Sequence, residues 1–474
     1  MIGFLQGMGG GMQGTGGAEM QMARDLSLLA PEIAVLLTAV GALVFEMLRL
    51  PKDALPFTAI GLLVATGLTL PLLGTETTIF MDTFRVGALS VWAKLALLPA
   101  TVLCTILAYR EVRDTDREGT VYALLSFTAL GALALAGAGD LMFVVLGVLL
   151  SSLGSFALVA YPRNDRATEA GMKYLVFGSV TSAVMIFGLT FWFGATVSTL
   201  LSELARLDDA PLAAAAGIVA VLVGLGYKAA IAPFHFWAPD AYDGAPISVA
   251  AFLSIVPKVG AIFALAQVVR DLPPQAAGWP LIVAGLAALS MTYGNLAALV
   301  QDNVVRLLAY SSIAQSGYFL LGVVALGQSG LAISSLVVFA AAYAAMNLGA
   351  FAVVMGAGRT LQDFAGLGRS RPATGAAMVI FLISLVGVPP LAGFVGKLLL
   401  FGAAMDAGFV WLAVVAILNS VLSLAVYLRI VVPMYGRPKG APAPARLVAA
   451  VWALALAATV GIGVAAQVLL GWVA

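Results

Sequence analysis

The sequence predicts an all-α polytopic membrane protein with about fourteen transmembrane helices, and three observations predict it. Of 474 residues, 62% are hydrophobic and only 10% charged, with a mean hydropathy of +1.05. A soluble domain carries about 25% charged residues. Apolar runs of at least ~18 residues, enough to cross a bilayer, recur along nearly the whole chain. The alternating ~10-residue segments of a membrane β-barrel do not occur.

In order, spans are expected at 26–48, 57–73, 88–108, 120–137, 140–160, 170–194, 212–231, 247–269, 280–299, 304–326, 331–356, 374–403, 408–432 and 447–471. Between the sixth and seventh, 198–207 (STLLSELARL) is short and amphipathic, which suits a surface helix. Residues 1–23 are rich in Gly, Met and Gln and lack the basic stretch of a signal peptide. A flexible tail is expected through residue 25.

Charge bias orients the spans. Loops after odd-numbered spans hold Arg49, Lys52, Arg110, Arg113, Arg117, Arg163, Arg166, Lys173, Arg306, Arg359, Arg369, Arg371, Arg437, Lys439 and Arg446. The N-terminus and the opposite loops hold only Arg24, Arg85, Arg206 and Arg270. The odd loops are therefore expected in the cytoplasm, with both termini on the periplasmic side of a bacterial inner membrane.

One cysteine, Cys104, and one histidine, His235, exclude several chemistries. They cannot hold an iron–sulfur cluster, bis-histidine haem or a Cys/His zinc site, nor can one cysteine form a disulfide within the chain. No P-loop or dinucleotide fingerprint is present. No cofactor, redox centre or metal is expected on this chain; redox or ATP-driven work would need partner chains. The net charge of +1 gives no reason to expect a nucleic-acid partner.

Four lysines lie inside apolar runs: Lys94, Lys228, Lys258 and Lys397. An ammonium in hydrocarbon costs at least ~2.5–3.5 kcal/mol. Burial disfavours its charged form, so a buried lysine can gain and lose a proton during turnover. Lys94 sits nearest a span end and is expected to snorkel to the interface. Lys258 follows Pro257 in mid-span, with little reach to either surface.

Two proline-broken segments flank these lysines. In GYKAAIAPFHFWAPDAYDGAP (226–246), Lys228 runs into Pro233 and then Pro239. Prolines free backbone carbonyls, which at membrane depth must be met by protein or water. A lone histidine often packs in such a bend. His235, seven residues from Lys228, is read instead as a proton relay. In SLVGVPPLAGFVGKLLLF (384–401), Pro389 and Pro390 break the helix and Lys397 follows, an echo that fits an internal repeat. Between them, RLLAYSSIAQSGYFLLG (306–322) sets Ser311, Ser312, Gln315 and Tyr318 in a polar stripe. It can hold water near Lys258 or hydrogen-bond between helices.

Together these segments resemble the antiporter-like membrane subunits of respiratory complex I, a family related to multisubunit cation/proton antiporters. HFWAPDAYDGAP with its preceding lysine, the Pro–Lys of the next span, AYSSIAQSGY and GVPPLAGFVGK carry the resemblance. It covers about residues 30–435 and is strongest from EAGMKYLVFGS at 169 onward. The resemblance implies helices 1–3 (26–108), two inverted five-helix repeats (120–269 and 280–432) with broken helices, and a fourteenth helix (447–474). It implies a subunit of NADH:quinone oxidoreductase that moves protons from cytoplasm to periplasm through lysines and water. Lys228 would be central, Lys258 connecting, and Lys397 terminal, exchanging with the periplasm. The implied partners are the lipid bilayer and other membrane-arm subunits. NADH-oxidising and quinone-reducing modules would drive the chain indirectly.

The chain departs from that pattern on the fifth helix, LMFVVLGVLLSSLGSFALVA. The family sets a glutamate where Leu149 stands, as the partner of Lys228. Without it, no Coulomb attraction offsets desolvation at Lys228. Glu169 or water is the expected substitute. Two other classes stand beside the proton-translocating reading. One is a cation/proton antiporter, against which the spans lack acids to bind a hard cation. The other is a non-pumping structural subunit, which Leu149 favours.

Overall fold

The computed structural model describes residues 19–113, 115, 117–437, 445–466 and 471. Its helices are α1 (Ala30–Met47), α2 (Pro51–Thr69), α3 (Ala88–Val112), α4 (Glu118–Ala136), α5 (Leu141–Ala160), α6 (Asp165–Thr196), α7 (Pro211–Lys228), α8 (Trp237–Gly244), α9 (Ile247–Asp271), α10 (Trp279–Ala298), α11 (Val304–Val324), α12 (Ala332–Ala357), α13 (Leu367–Ser370), α14 (Pro372–Val386), α15 (Ala392–Asp406), α16 (Val410–Met434) and α17 (Arg446–Val464). Thirteen helices among the described residues are long and apolar enough to cross a membrane. The expected twelfth span is instead two helices of 15 residues each, α14 and α15.

Local chemistry sets the helix starts. Asp140 caps α5 by accepting from the Met142 and Phe143 amides at 2.6 and 3.3 Å. Asn164 caps α6 through Ala167 N at 2.8 Å, and Asn303 caps α11 through Val305 N at 2.9 Å. Each side-chain oxygen meets amides that have no partner inside the helix. The start of α9 borrows its cap from elsewhere: the Glu111 carboxylate on α3 accepts from Ile247 N and Ser248 N at 2.9 and 3.1 Å.

The interior is built on α9, α11 and α12. The apolar window of α9 is wholly buried, and those of α11 and α12 are 94% and 89% buried, whereas the α6 window is only 33% buried. A helix apolar all round belongs in the middle of a bundle, and that places Lys258 at the centre. Gly260 permits the close approach: a Cβ there would stand 2.8 Å from Ala132 backbone on α4.

Two stretches outside the spans differ from the sequence expectation, and the short amphipathic surface helix expected at 198–207 is present. The stretch between α2 and α3 forms a two-stranded antiparallel hairpin, β1 (Thr77–Ile79) and β2 (Phe84–Val86). Phe84 packs on Phe143, and Arg85 pairs with Asp271 at the end of α9. The tail expected through residue 25 lies outside the described residues only to residue 18. Residues 19–28 are helical, and Asp25 accepts from Phe80 N at 3.1 Å. The surface segment at 198–207 is a 3₁₀-helix, Leu201–Asp209, with Leu201, Leu204 and Leu207 buried. A spacing of three matches its three residues per turn.

Lys94 does not snorkel. It is fully buried, and its Nζ lies 2.8 Å from Glu32 Oε1 on α1. Glu32 is an acid inside a span, which the sequence reading missed. It stands at the start of α1, and its partner is 62 positions away. A buried ion pair is costly to halve, because the survivor is left as an unpaired charge. Glu32→Leu or Lys94→Met alone should therefore lower stability by about 3–5 kcal/mol. The Glu32→Leu/Lys94→Met double variant should recover most of it. Thermal melting of the purified assembly checks this; a double variant as unstable as either single would show that the loss is packing, not charge.

Candidate functional site

The three remaining lysines are buried, with exposures of 1% for Lys228, 0% for Lys258 and 2% for Lys397. No acid among the described residues pairs with any of them. Their partners are hydroxyls and backbone carbonyls.

Lys228 is the last residue of α7. Its Nζ lies 3.1 Å from Ser152 Oγ, 3.4 Å from Ser155 Oγ and 3.3 Å from Tyr174 OH. Tyr174 is fixed by stacking on Trp237 at 4.2 Å and by Phe156 edge-on at 4.8 Å. Leu149 lies one turn before Ser152 and is 38% exposed on the outer face of α5. Glu169 does not take the glutamate's place. It is exposed at the start of α6 and pairs with Lys173 at 2.7 Å.

Lys258 donates to Ser312 O at 2.8 Å and to Ser312 Oγ. Tyr343 OH lies 2.9 Å from the same hydroxyl and donates to Ser254 O at 3.0 Å. Tyr242 OH, on α8, stands 3.5 Å from Ser312 Oγ. Lys397 donates to Val386 O at 3.0 Å and to Ser420 Oγ at 3.3 Å. Its Nζ sits 3.8 Å above the Tyr318 ring, a cation–π contact. A cavity of about 280 Å³ lined by Phe394, Lys397, Ser420 and Leu424 opens beside it.

The stripe on α11 runs between these groups. Ser311 Oγ bonds Tyr427 OH at 2.6 Å, Gln315 Nε2 reaches Tyr427 OH at 3.4 Å, and Tyr318 OH meets Ser420 Oγ at 3.0 Å. His235 stands apart. Its ring packs against Phe236 and Tyr293 at 4.7 and 4.6 Å, and no hydrogen bond found among the described residues joins it to a lysine. Pro233 lies in the break between α7 and α8, and Pro389 and Pro390 lie between α14 and α15. Sequence reasoning missed Ser152, Ser155, Tyr174, Tyr242, Tyr343, Ser420 and Tyr427. Serines and tyrosines inside apolar helices were their one available signal.

A charged cluster closes one end of the first break. Asp240 on α8 pairs with Arg306 at 2.7 Å and Lys173 at 2.9 Å, and Asp243 pairs with Arg166 and, at 3.8 Å, Arg359. These cations come from the loops or helix ends after the fifth, ninth and eleventh expected spans, so those segments meet at one end of the bundle. Arg429 joins that end, donating to Gln301 O at 2.8 Å beyond the C-terminus of α10 and pairing with Asp302. Burial pushes the Asp240 carboxyl up, but the hydrogen bonds and charges of Arg306 and Lys173 outweigh it and hold the group below its ordinary value.

The arrangement of buried lysines, hydroxyls and two broken helices in a helical bundle defines an antiporter-like membrane protein. Residues 138–423 match the family described as NADH:quinone oxidoreductase/Mrp antiporter, TM. Within that class the chain belongs to the subunit N family of NADH-quinone oxidoreductases. Subunit N of Desulfovibrio desulfuricans is 38% identical over 494 residues, 96% of this chain and 97% of that protein. Subunit N of Mycobacterium sp. strain JLS is 41% identical over 371 residues, 77% of this chain and 79% of the relative. Among solved structures, a chain of respiratory complex I from Thermus thermophilus with bound aureothin superposes with a TM-score of 0.83. It is 31% identical, covering 93% of this chain and 98% of that one.

Because the Asp240 carboxyl is held below its ordinary value, its stabilisation is present at neutral pH and lost as pH falls through the lowered value. Melting temperatures of wild type and Asp240→Asn should differ steadily from pH 8 to about 5 and converge below about pH 4. A constant gap down to acid pH would assign the effect to packing.

Proposed function

We propose that this chain is a membrane-arm subunit of an NADH-quinone oxidoreductase that translocates protons from cytoplasm to periplasm. Lys228, Lys258 and Lys397, with water between them, carry the charge, and quinone reduction in partner subunits drives it. The observation that carries this reading is three buried lysines with no carboxylate partner among the described residues. Burying each costs at least ~2.5–3.5 kcal/mol, which neutral hydrogen bonds must offset, and charge transfer needs amines that are not locked in ion pairs.

The two breaks support the same reading. Lys228 ends α7, and the Lys397 ammonium sits on Val386 O at the end of α14. Each therefore lies at the negative end of a half-helix, which favours a cation by about 0.3–1 kcal/mol, up to ~2 when partly buried. The repeats would be α4–α9 and α10–α16, each with one discontinuous helix. With the loops after odd spans in the cytoplasm and both termini periplasmic, α8 leads from Lys228 to the cytoplasmic end and α15 leads from the break to the periplasm. Lys228 would pass its charge to Lys258 through Tyr242 and Ser312, with water bridging past the Trp237 ring. Lys397 would exchange with the periplasm through its adjacent cavity. His235 would relay protons at the first break. The chain itself would carry no redox cofactor and would rest against neighbouring membrane-arm subunits and lipid.

Leu149 favours a second reading, a structural subunit that no longer pumps. Protons pumped per electron in membrane vesicles separate the two. Lys258→Met should lower the ratio while assembly and uncoupled quinone reductase activity stay intact; an unchanged ratio would make the row vestigial. Leu149→Glu puts a carboxylate one turn from the Ser152 that holds Lys228, and it should change the pH profile of that ratio. A profile matching wild type would mean that this position does not reach Lys228.

A further inference from the structure

Every carbonyl in the last turn of α14 is spoken for. Ile383 O and Ser384 O accept from the Gly387 amide at 3.1 and 3.0 Å, with Val388 N also on Ile383 O. Leu385 O accepts from Gln315 Nε2 at 3.2 Å, and Val386 O from Lys397 Nζ. The first break is met in a similar way. Leu225, Gly226 and Tyr227 carbonyls accept from the Ala229, Ile231 and Ala230 amides, and Trp237 Nε1 also donates to Tyr227 O. Ala229 O accepts from Ser316 Oγ at 2.6 Å, and Ala232 N donates to Ser290 Oγ at 3.0 Å. One side chain at each break therefore comes from α11, and the two are adjacent in sequence. Neighbouring helical residues point about 100° apart, so Gln315 and Ser316 reach two different neighbours.

The same turn holds Lys258. Ser312 O accepts from Lys258 Nζ at 2.8 Å and lies 3.1 Å from Ser316 Oγ. A hydroxyl has one proton and serves one acceptor at a time. With Lys258 on Ser312 O, the Ser316 proton goes to Ala229 O. If Lys258 withdraws, Ser312 O competes for that proton and the first break loses its tie.

We infer that the Ser312–Ser316 turn of α11 mechanically couples the two helix breaks to each other and to Lys258, with Gln315 and Ser316 as positioning residues. The coupling stands on the geometry alone; only its role in timing proton transfer rests on the reading proposed above. Coupling is reciprocal, so loosening either break must loosen the other.

Amide hydrogen exchange on the assembled complex in lipid nanodiscs tests this, comparing wild type, Gln315→Met, Ser316→Ala and Ser316→Thr. Gln315→Met keeps the length of the side chain and removes only its amide. The readout is exchange at residues 229–236 and 386–391, with α3 and α4 as reference. Losing one buried hydrogen bond should speed local exchange about fivefold. The expected result is acceleration at both breaks in Gln315→Met and in Ser316→Ala, unchanged reference helices, and restoration in Ser316→Thr. Acceleration only at the break each residue touches would overturn the coupling. So would acceleration throughout the chain, which would make the turn ordinary packing. If both breaks respond while protons per electron stay at the wild-type value, the coupling holds and its role in timing proton transfer fails.

Discussion

The structure turns on how an ammonium without a counter-ion is solvated away from water. Among the described residues no carboxylate reaches Lys228, Lys258 or Lys397, so neutral oxygens must do the work. Hydrogen bonds to a charged donor contribute about 1.5–3 kcal/mol each, and several together can hold a lysine that one alone could not. Lys228 collects three hydroxyls, Lys258 both oxygens of Ser312, and Lys397 a carbonyl, a hydroxyl and a ring face. The helix breaks belong to the same solution. An intact helix spends its carbonyls internally, and a broken one releases them at membrane depth, where polar protein groups must receive them. At the second break this supplies Val386 O to Lys397, whereas Lys228 draws on side-chain hydroxyls and Lys258 on Ser312 of the unbroken α11.

Lys94 shows the alternative. Its partner is Glu32, 2.8 Å away, and opposite charges ~4 Å apart attract by about 4 kcal/mol at an effective dielectric of ~20. The pair joins α1 to α3 beneath the hairpin and suits anchoring. Among the described residues Lys228, Lys258 and Lys397 have no such partner and are held by neutral contacts alone. One chain therefore uses buried lysine in two ways, and the presence of a carboxylate separates them.

Much of the architecture is legible in the sequence because hydropathy over ~20 residues is a strong signal. Lys228, Lys258 and Lys397 stand out against it, as do the Pro233 and Pro389–Pro390 interruptions. The polar stripe of α11 is visible too, since Ser311, Ser312, Gln315 and Tyr318 recur at helical spacing. Its partners are not visible. Tyr343, Tyr427, Ser254 and Ser420 reach the site from 31 to 116 positions away, and no local pattern says which of many serines and tyrosines will meet. The Lys94–Glu32 pair was hidden for the same reason. The hairpin was missed because two three-residue strands fall below any periodicity, and their order rests on Phe84 and Arg85 docking onto distant helices.

The glutamate that the family resemblance implies on the fifth helix reads differently once Leu149 is placed. The residue faces outward, at 38% exposure, while Ser152 one turn later faces Lys228. A carboxylate at 149 would thus stand at the edge of the site, between the lysine and whatever covers α5. Its absence does not empty the site, because Ser152, Ser155 and Tyr174 fill the space around the amine, with Tyr174 held rigid by Trp237 and Phe156. Leucine at 149 leaves the rim without a fixed negative charge there and leaves the lysine's immediate neighbours in place. Lys228 is left with the same kind of neutral solvation as Lys258 and Lys397.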